Sequence, residues 1–192
     1  TIPKATSMTT AIHLATSDDA PRLLTLIAAF HAECGIERSD EQRQAALMPL
    51  LQGSPLGAAW LFGPAKAPTG YTIITFGWSM EMGGMDAFID ELFIRPSVRK
   101  RGMAYEVLMA ISSSLAGVDI KALHLEVDRS DDATQRLYAR AQFKLRDTCS
   151  LWPRLRLREL MPMSAIRPVY PCLPSTSDST DALLSYALRA LR

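Results

Sequence analysis

Apolar positions follow two periods along the chain, and each period marks a different kind of element. Alternating or short solid apolar runs occur at 11–15, 58–62, 70–79, 85–94 and 123–127, and turn-forming residues separate several of them. Such runs predict strands. Helical spacing fills much of the remainder. Leu23, Leu26, Ile27 and Phe30 share one face of a helix that starts near Ser17-Asp18-Asp19-Ala20-Pro21 and stops at Gly35. Its start carries an N-cap candidate, acids and a first-turn proline. A second helix is expected over 39–51, opened by Ser39 or Asp40, and Gly53 to Gly57 forms a turn. Gly83-Gly84 predicts a tight turn between two antiparallel strands. The order is strand, two helices, three antiparallel strands, then helix, strand, helix, strand. The last two strands are expected within 144–161, where Leu155 to Arg158 alternates and Trp152-Pro153 interrupts.

The segment richest in chemistry is Phe88 to Ala110. An apolar strand runs directly into the basic turn Arg99-Lys100-Arg101-Gly102-Met103-Ala104, and a helix follows at once. The first turn of a helix has free N–H groups and the positive end of the helix dipole. A pyrophosphate can bind there without a dedicated side chain. Gly102 allows the backbone to approach closely. The turn reads R-x-x-G-x-A. A second strand, Leu123 to Val127, leads into Asp131-Asp132-Ala133-Thr134-Gln135-Arg136-Leu137-Tyr138, and that helical run ends near Gln142-Phe143.

The first pattern resembles motif A of the GNAT acetyltransferase superfamily, Q/R-x-x-G-x-G/A. The second resembles its motif B, N-x-x-A-x-x-L-Y-x-x-x-G-F. Leu137, Tyr138 and Phe143 match; Asp131, Thr134 and Gln142 stand where Asn, Ala and Gly are usual. Asp131 adds a negative charge near an anionic cofactor. Gln142 takes a position that is often left-handed, which costs a non-glycine residue roughly 1 kcal/mol. The resemblance implies the GNAT fold: an α/β protein with a mixed, mostly antiparallel sheet of about six to seven strands flanked by helices. It also implies acetyl-CoA as co-substrate. The backbone of Leu92, Phe93 and Ile94 is expected to pair with the pantetheine arm, and the N–H groups of Lys100, Arg101, Gly102, Met103 and Ala104 to hold the pyrophosphate. Arg99 and Arg101 add long-range attraction, and Asp131 and Thr134 border the cofactor.

Composition narrows the class. The net charge of +1 implies no polyanionic partner, so no nucleic acid is expected. Apolar content of 48% supports a proper core. Cys34, Cys149 and Cys172 show no metal spacing and no paired framework, which fits reduced thiols in a cytoplasmic protein. No apolar run is long enough to predict a membrane span, and no metal is expected. Residues 1–8 read as a disordered leader, 9–161 as the catalytic domain, and 162–192 as a Pro/Ser-rich extension ending in a short helix. With Leu184, Leu188 and Leu191 on one face, that helix is either a frayed end or a docking or homodimer-forming element.

The implied reaction moves an acetyl group from a thioester to an amine. A primary amine is neutral in on the order of one molecule in a thousand at neutral pH, so a base helps. Asp90 is the first candidate base and Glu91 the reserve. Strict alternation puts Asp90 on one face with Phe88 and Leu92, and Glu91 with Phe93 on the other. Tyr138 is the candidate acid, hydrogen-bonding to the departing thiolate. The acceptor walls are expected to include His31, Glu33 and Glu81. Glu37, Asp40, Glu41 and Asp86 extend an acidic lining that suits a cationic small amine or a peptide lysine. His124 reads as structural. The alternative is a non-catalytic acyl-CoA-binding or interaction module that kept the fold.

Overall fold

The computed structural model describes residues 10–146. The leader 1–8, the strands expected beyond 146 and the C-terminal extension lie outside those residues. The described chain forms β1 (Ile12–Leu14), α1 (Ala20–Cys34), α2 (Asp40–Leu51), β2 (Gly57–Phe62), β3 (Gly70–Ser79), β4 (Gly84–Ile94), α3 (Met103–Gly117), β5 (Ala122–Leu125) and α4 (Asp132–Arg140). The expected order holds over the described residues.

Local chemistry sets the ends. The backbone N–H of Thr16 donates to the Asp19 carboxylate at 3.0 Å, closing the turn before α1. The cap is therefore built by Thr16 and Asp19 and does not involve Ser17. Gly35 ends α1 at φ 67. Ser39 and Gln42 exchange side-chain-to-backbone bonds in a capping box that opens α2.

Five described strands form one sheet in the order β1-β2-β3-β4-β5. The first four are antiparallel, and β5 runs parallel to β4. β2 is buried along its whole length, as a strand covered on both faces must be. Its alternate residues feed two cores. Ala59 and Leu61 pack with Leu23, Leu26, Ile27, Leu47 and Leu51 under α1 and α2. Ala58, Trp60 and Phe62 pack with Val107, Leu108, Ile111 and Leu115 under α3. Among the described residues, no helix is long and apolar enough to cross a membrane.

Candidate active site

The fourth strand has an open side. β3 pairs with β4 along its length, but β5 reaches only from Asp86 to Ile89. From Asp90 to Ile94 the β5 side of the backbone has no strand partner among the described residues. A short 3₁₀ turn (Pro96–Val98) then leads into the basic turn. Lys100 and Gly102 are both left-handed, at φ 64 and 84, and Gly102 is the N-cap of α3. A Cβ on Gly102 would meet nothing within 4 Å, so the backbone angle, not crowding, favours glycine here. Lys100 holds a left-handed angle at a cost of about 1–2 kcal/mol, the kind of local strain that clusters at functional turns. The N–H groups of residues 100–104 have no acceptor among the described residues. An unpaired extended edge that ends in free N–H groups at a helix N-terminus fits an extended carrier bearing a pyrophosphate.

A bulge sits where the pairing with β5 stops. Ile73 lies opposite Glu91, and Ile74 lies opposite Ile89, which leaves Asp90 as the extra residue. The bulge breaks the alternation expected between Asp90 and Leu92, whereas Glu91 and Phe93 share a face as expected. Ile89, Leu92 and Ile94 pack on the α3 side, while Phe93 joins the α1 core. Glu91 points to α1 as well: its Oε1 lies 2.8 Å from His31 Nε2, and its Oε2 accepts from the Tyr71 hydroxyl at 2.7 Å. The Thr72 hydroxyl donates to the Glu91 carbonyl at 2.8 Å, fixing its backbone too. Asp90 makes no hydrogen bond among the described residues and reaches solvent. The surrounding protein nonetheless pushes its carboxyl above the ordinary range. Lost hydration is the larger cause and the Glu91 charge the second, while His31 pulls the other way. Burial first, then the Glu91 charge, raises the Tyr71 phenol so far that it remains a donor.

Arg99 is committed to the protein itself. Its two terminal nitrogens donate to the Glu33 carboxylate, each at 2.7 Å, and its Nε donates to the Ile94 carbonyl at 2.7 Å. Its guanidinium lies 5.4 Å from the Phe93 ring centre. The fork joins the end of α1 to the basic turn. Lys100 and Arg101 stay exposed beside it. The Arg99 hydrogen bond draws the Glu33 carboxyl below its usual value. The pair is partly solvated, so a double-mutant cycle of Arg99→Ala and Glu33→Ala, followed by urea unfolding, should give coupling of about 1 kcal/mol or less. Because the folded carboxyl is depressed, that coupling should be present at neutral pH and fade as pH falls through the folded value. Coupling that persists unchanged in strong acid would contradict this assignment.

Most of the expected acidic lining is likewise engaged. Asp40 pairs with Arg43, Glu81 with Arg146 at 2.6 Å, and Asp86 with His124 at 3.3 Å. His124 thus bridges β5 and β4, in keeping with a structural role. His31 is buried and turned to Glu91. Of the acids around β4, Asp90 is the one whose carboxylate has no partner among the described residues.

On the other side, Asp131 is the N-cap of α4 and accepts from the Thr134 N–H at 3.0 Å. Hydrogen bonding from Thr134, its side chain first and this N–H second, draws the Asp131 carboxyl down. Capping therefore gives the Asp a local reason to stand where Asn is usual. Gln142 adopts φ 70, the left-handed angle expected of the position. Tyr138 packs on the α3-side core together with Leu92, Met103 and Ala104, and meets Phe143 edge-on with ring centres 5.7 Å apart. Its hydroxyl has no partner among the described residues. Burial, then the Asp131 charge, raises its pKa, so the phenol is protonated at neutral pH. Sequence reasoning missed Tyr71 and Thr72. Their signal is the hairpin register, which counting back from Gly83-Gly84 gets wrong by one residue beyond the bulge.

A mixed sheet flanked by helices, with β4 open beyond Ile89 and leading into the basic turn, is the α/β arrangement of the GNAT fold. The model of the Acetyltransferase (GNAT) family matches residues 13–143, and the chain belongs to that family. Among solved structures it resembles an integron cassette protein from the mobile metagenome of Cole Harbour Salt Marsh. That match has 28% identity and a TM-score of 0.67, over 75% of this chain and 90% of the other. It also resembles a ribosomal-protein-alanine N-acetyltransferase from Brucella melitensis biovar Abortus 2308, with 19% identity and a TM-score of 0.62, over 76% and 98%. An aminoglycoside acetyltransferase from an uncultured soil metagenomic sample, solved with sisomicin, matches at 14% identity and a TM-score of 0.62, over 75% and 94%. At these last two identities the likeness is one of fold. No curated protein matches the sequence.

Proposed function

We propose that the protein transfers an acetyl group from acetyl-CoA to a primary amine of a small molecule or peptide, with Asp90 as the base. The observation that carries this reading is the position of Asp90. It is the extra residue of the β4 bulge, its carboxylate without a partner among the described residues, at the point where β4 opens and on the strand that ends in the basic turn. The amine nitrogen attacks the thioester carbonyl carbon and gives a proton to Asp90, directly or through water. The C–S bond then breaks, and the sulfur leaves as a thiolate. The Tyr138 hydroxyl hydrogen-bonds to that thiolate, which takes up a proton to give free CoA. The open edge from Leu92 to Ile94 takes the pantetheine arm, and the N–H groups from Lys100 to Ala104 take the pyrophosphate, with Arg101 nearby. Asp131 and Thr134 border the cofactor from α4. Arg99 serves mainly to tie the turn to α1.

The acceptor remains an amine in this reading, and a cationic one is favoured only as far as Asp90 and the exposed Glu37 and Glu41 attract it. Glu33 and Glu81 are engaged with arginines, which lowers their pull. The structural neighbours include both a ribosomal-protein-alanine N-acetyltransferase and an aminoglycoside acetyltransferase, so peptide and amino-sugar acceptors both fit this reading. The place of action is taken as the cytoplasm.

Titration calorimetry with acetyl-CoA, followed by free-thiol release across a panel of amines, tests this. Binding with amine-dependent thiol release is expected. Tyr138→Phe should bind acetyl-CoA normally and lose roughly 10- to 100-fold in release, the worth of one hydrogen bond to a charged group. Binding with no release for any amine would favour the non-catalytic acyl-CoA module. No binding would overturn the reading of the basic turn.

A further inference from the structure

Two adjacent acids on β4 have sharply different surroundings. Glu91 is nearly enclosed, with its side chain 15% exposed and that of His31 11% exposed. Three contacts from two elements hold it: α1 through His31, and β3 through Tyr71 and through the Thr72 hydroxyl on its carbonyl. Tyr71 is completely buried, and its ring packs against Phe30 and Phe93 with centres 6.4 and 6.1 Å away. Phe30 also flanks the His31 ring at 6.1 Å. The rings on one side of Glu91 therefore leave its two donors little freedom. The carboxylate of the neighbouring residue, Asp90, has no hydrogen-bond partner among the described residues.

We propose that His31 and Tyr71 are positioning residues that lock Glu91 in place, so that the β4 bulge is fixed and Asp90 projects as the free base. This rests on the reading of Asp90 given above. With both oxygens accepting from protein donors, Glu91 has no oxygen turned to an acceptor amine, so it works as a strut. A carboxylate pinned on both oxygens also keeps its charge at a fixed distance from Asp90. The titratable groups that act on Asp90 are then Glu91 on its own strand and His31 on α1, and Tyr71 on β3 completes the set. His31 further holds the last turn of α1 against the sheet at the point where the chain leaves for the loop before α2. The Nδ1 of His31 is buried without a partner, which says that the ring is oriented by its Nε2 contact with Glu91. A wall residue expected to touch substrate is thereby reassigned to a role one step behind it.

Four variants test the lock: Tyr71→Phe, His31→Leu, His31→Gln and Glu91→Gln. The phenylalanine keeps the buried ring and removes only the donor. The leucine removes the donor to the other oxygen, and the glutamine can restore an N–H there. Steady-state acetyl transfer is measured against pH, with separate KM values for amine and acetyl-CoA, and with thermal unfolding of each variant. Tyr71→Phe and His31→Leu should lower kcat roughly 10- to 100-fold, the effect of misplacing a reacting group by about an ångström. Acetyl-CoA affinity should not change, and His31→Gln should recover most of the loss. Glu91→Gln removes the like charge and should carry the acid limb of kcat/KM to lower pH while leaving measurable turnover. If Tyr71→Phe and His31→Leu fold and keep the wild-type kcat and pH profile, the lock is not needed and the inference fails. If Glu91→Gln abolishes turnover and the acid limb vanishes with it, Glu91 is the base and the inference also fails. The reading of Asp90 itself fails separately, through full activity of Asp90→Asn in the wild-type background.

Discussion

Asp90→Asn should remove most amine acetylation while leaving acetyl-CoA binding intact. The amide keeps the size and polarity of the side chain but cannot accept the proton that the amine must lose. A primary amine at neutral pH is almost entirely protonated, so removing a positioned base should cost roughly 10²- to 10⁴-fold in kcat/KM. The effect should be largest near neutrality and shrink at high pH, where the amine deprotonates unaided. The wild-type acid limb should lie above the range of an ordinary carboxylate, because lost hydration and the Glu91 charge both raise Asp90. The sign follows directly: Asp90 works when unprotonated, so activity rises with pH through its raised pKa. Thiol release against pH, for both proteins, measures this. A flat profile for both proteins with equal rates would show that the acetyl transfer, if any, uses no base at this position.

Gly70→Ala should have the largest effect on folding. Gly70 begins β3 opposite Ile94, at the end of β4 that leads into the anion turn. A Cβ there would lie 2.4 Å from the Phe93 carbonyl oxygen, 3.0 Å from a Phe62 ring carbon and 3.2 Å from the Ile94 Cα. Two of these three are backbone atoms, which cannot rotate away as a side-chain tip can. The strands must separate locally, and Phe62, which is completely buried, must shift with them. Overpacking of this kind costs typically about 1–3 kcal/mol, and more where backbone is involved. Urea unfolding should report it as a lower midpoint. The same displacement moves the Phe93 and Ile94 backbone, the edge assigned to the pantetheine arm, so acetyl-CoA affinity should fall as well. Stability within about 0.5 kcal/mol of wild type would mean that the close approach does not constrain the sheet.

Much of this molecule is legible along the chain because its signals are local. The stop of α1 at Gly35, the capping box at Ser39 and Gln42, and the turn at Gly102 each depend on residues within one helical turn of each other. Solvent and backbone sterics decide them before any packing occurs. Motif spacing places the anion turn after an apolar strand and Tyr138 on the following helix for the same reason. Even the left-handed angle at Gln142 could be expected from its position.

The acids were harder to read. Period-two alternation puts Glu91 with Phe93, as found, but it also puts Asp90 with Leu92, and the bulge opposite Ile73 and Ile74 breaks that second relation. A bulge inserts one residue into a register set by cross-strand contacts, and nothing in the local sequence marks it. The partners of the charges were equally hidden. Glu33 and Arg99, or His31 and Glu91, lie far apart in sequence and meet only because α1 crosses the face of β4. Residues that look like an open acidic wall when read singly prove to be mostly paired.

The sequence by itself thus determined the order of the described elements, their caps and the basic glycine turn, since each rests on hydrogen bonds and dihedrals within a short stretch. Tertiary structure alone decided which carboxylate is free and which is held. That choice depends on register and on side chains supplied by three different elements, and burial sets the protonation of a group only once those elements have packed.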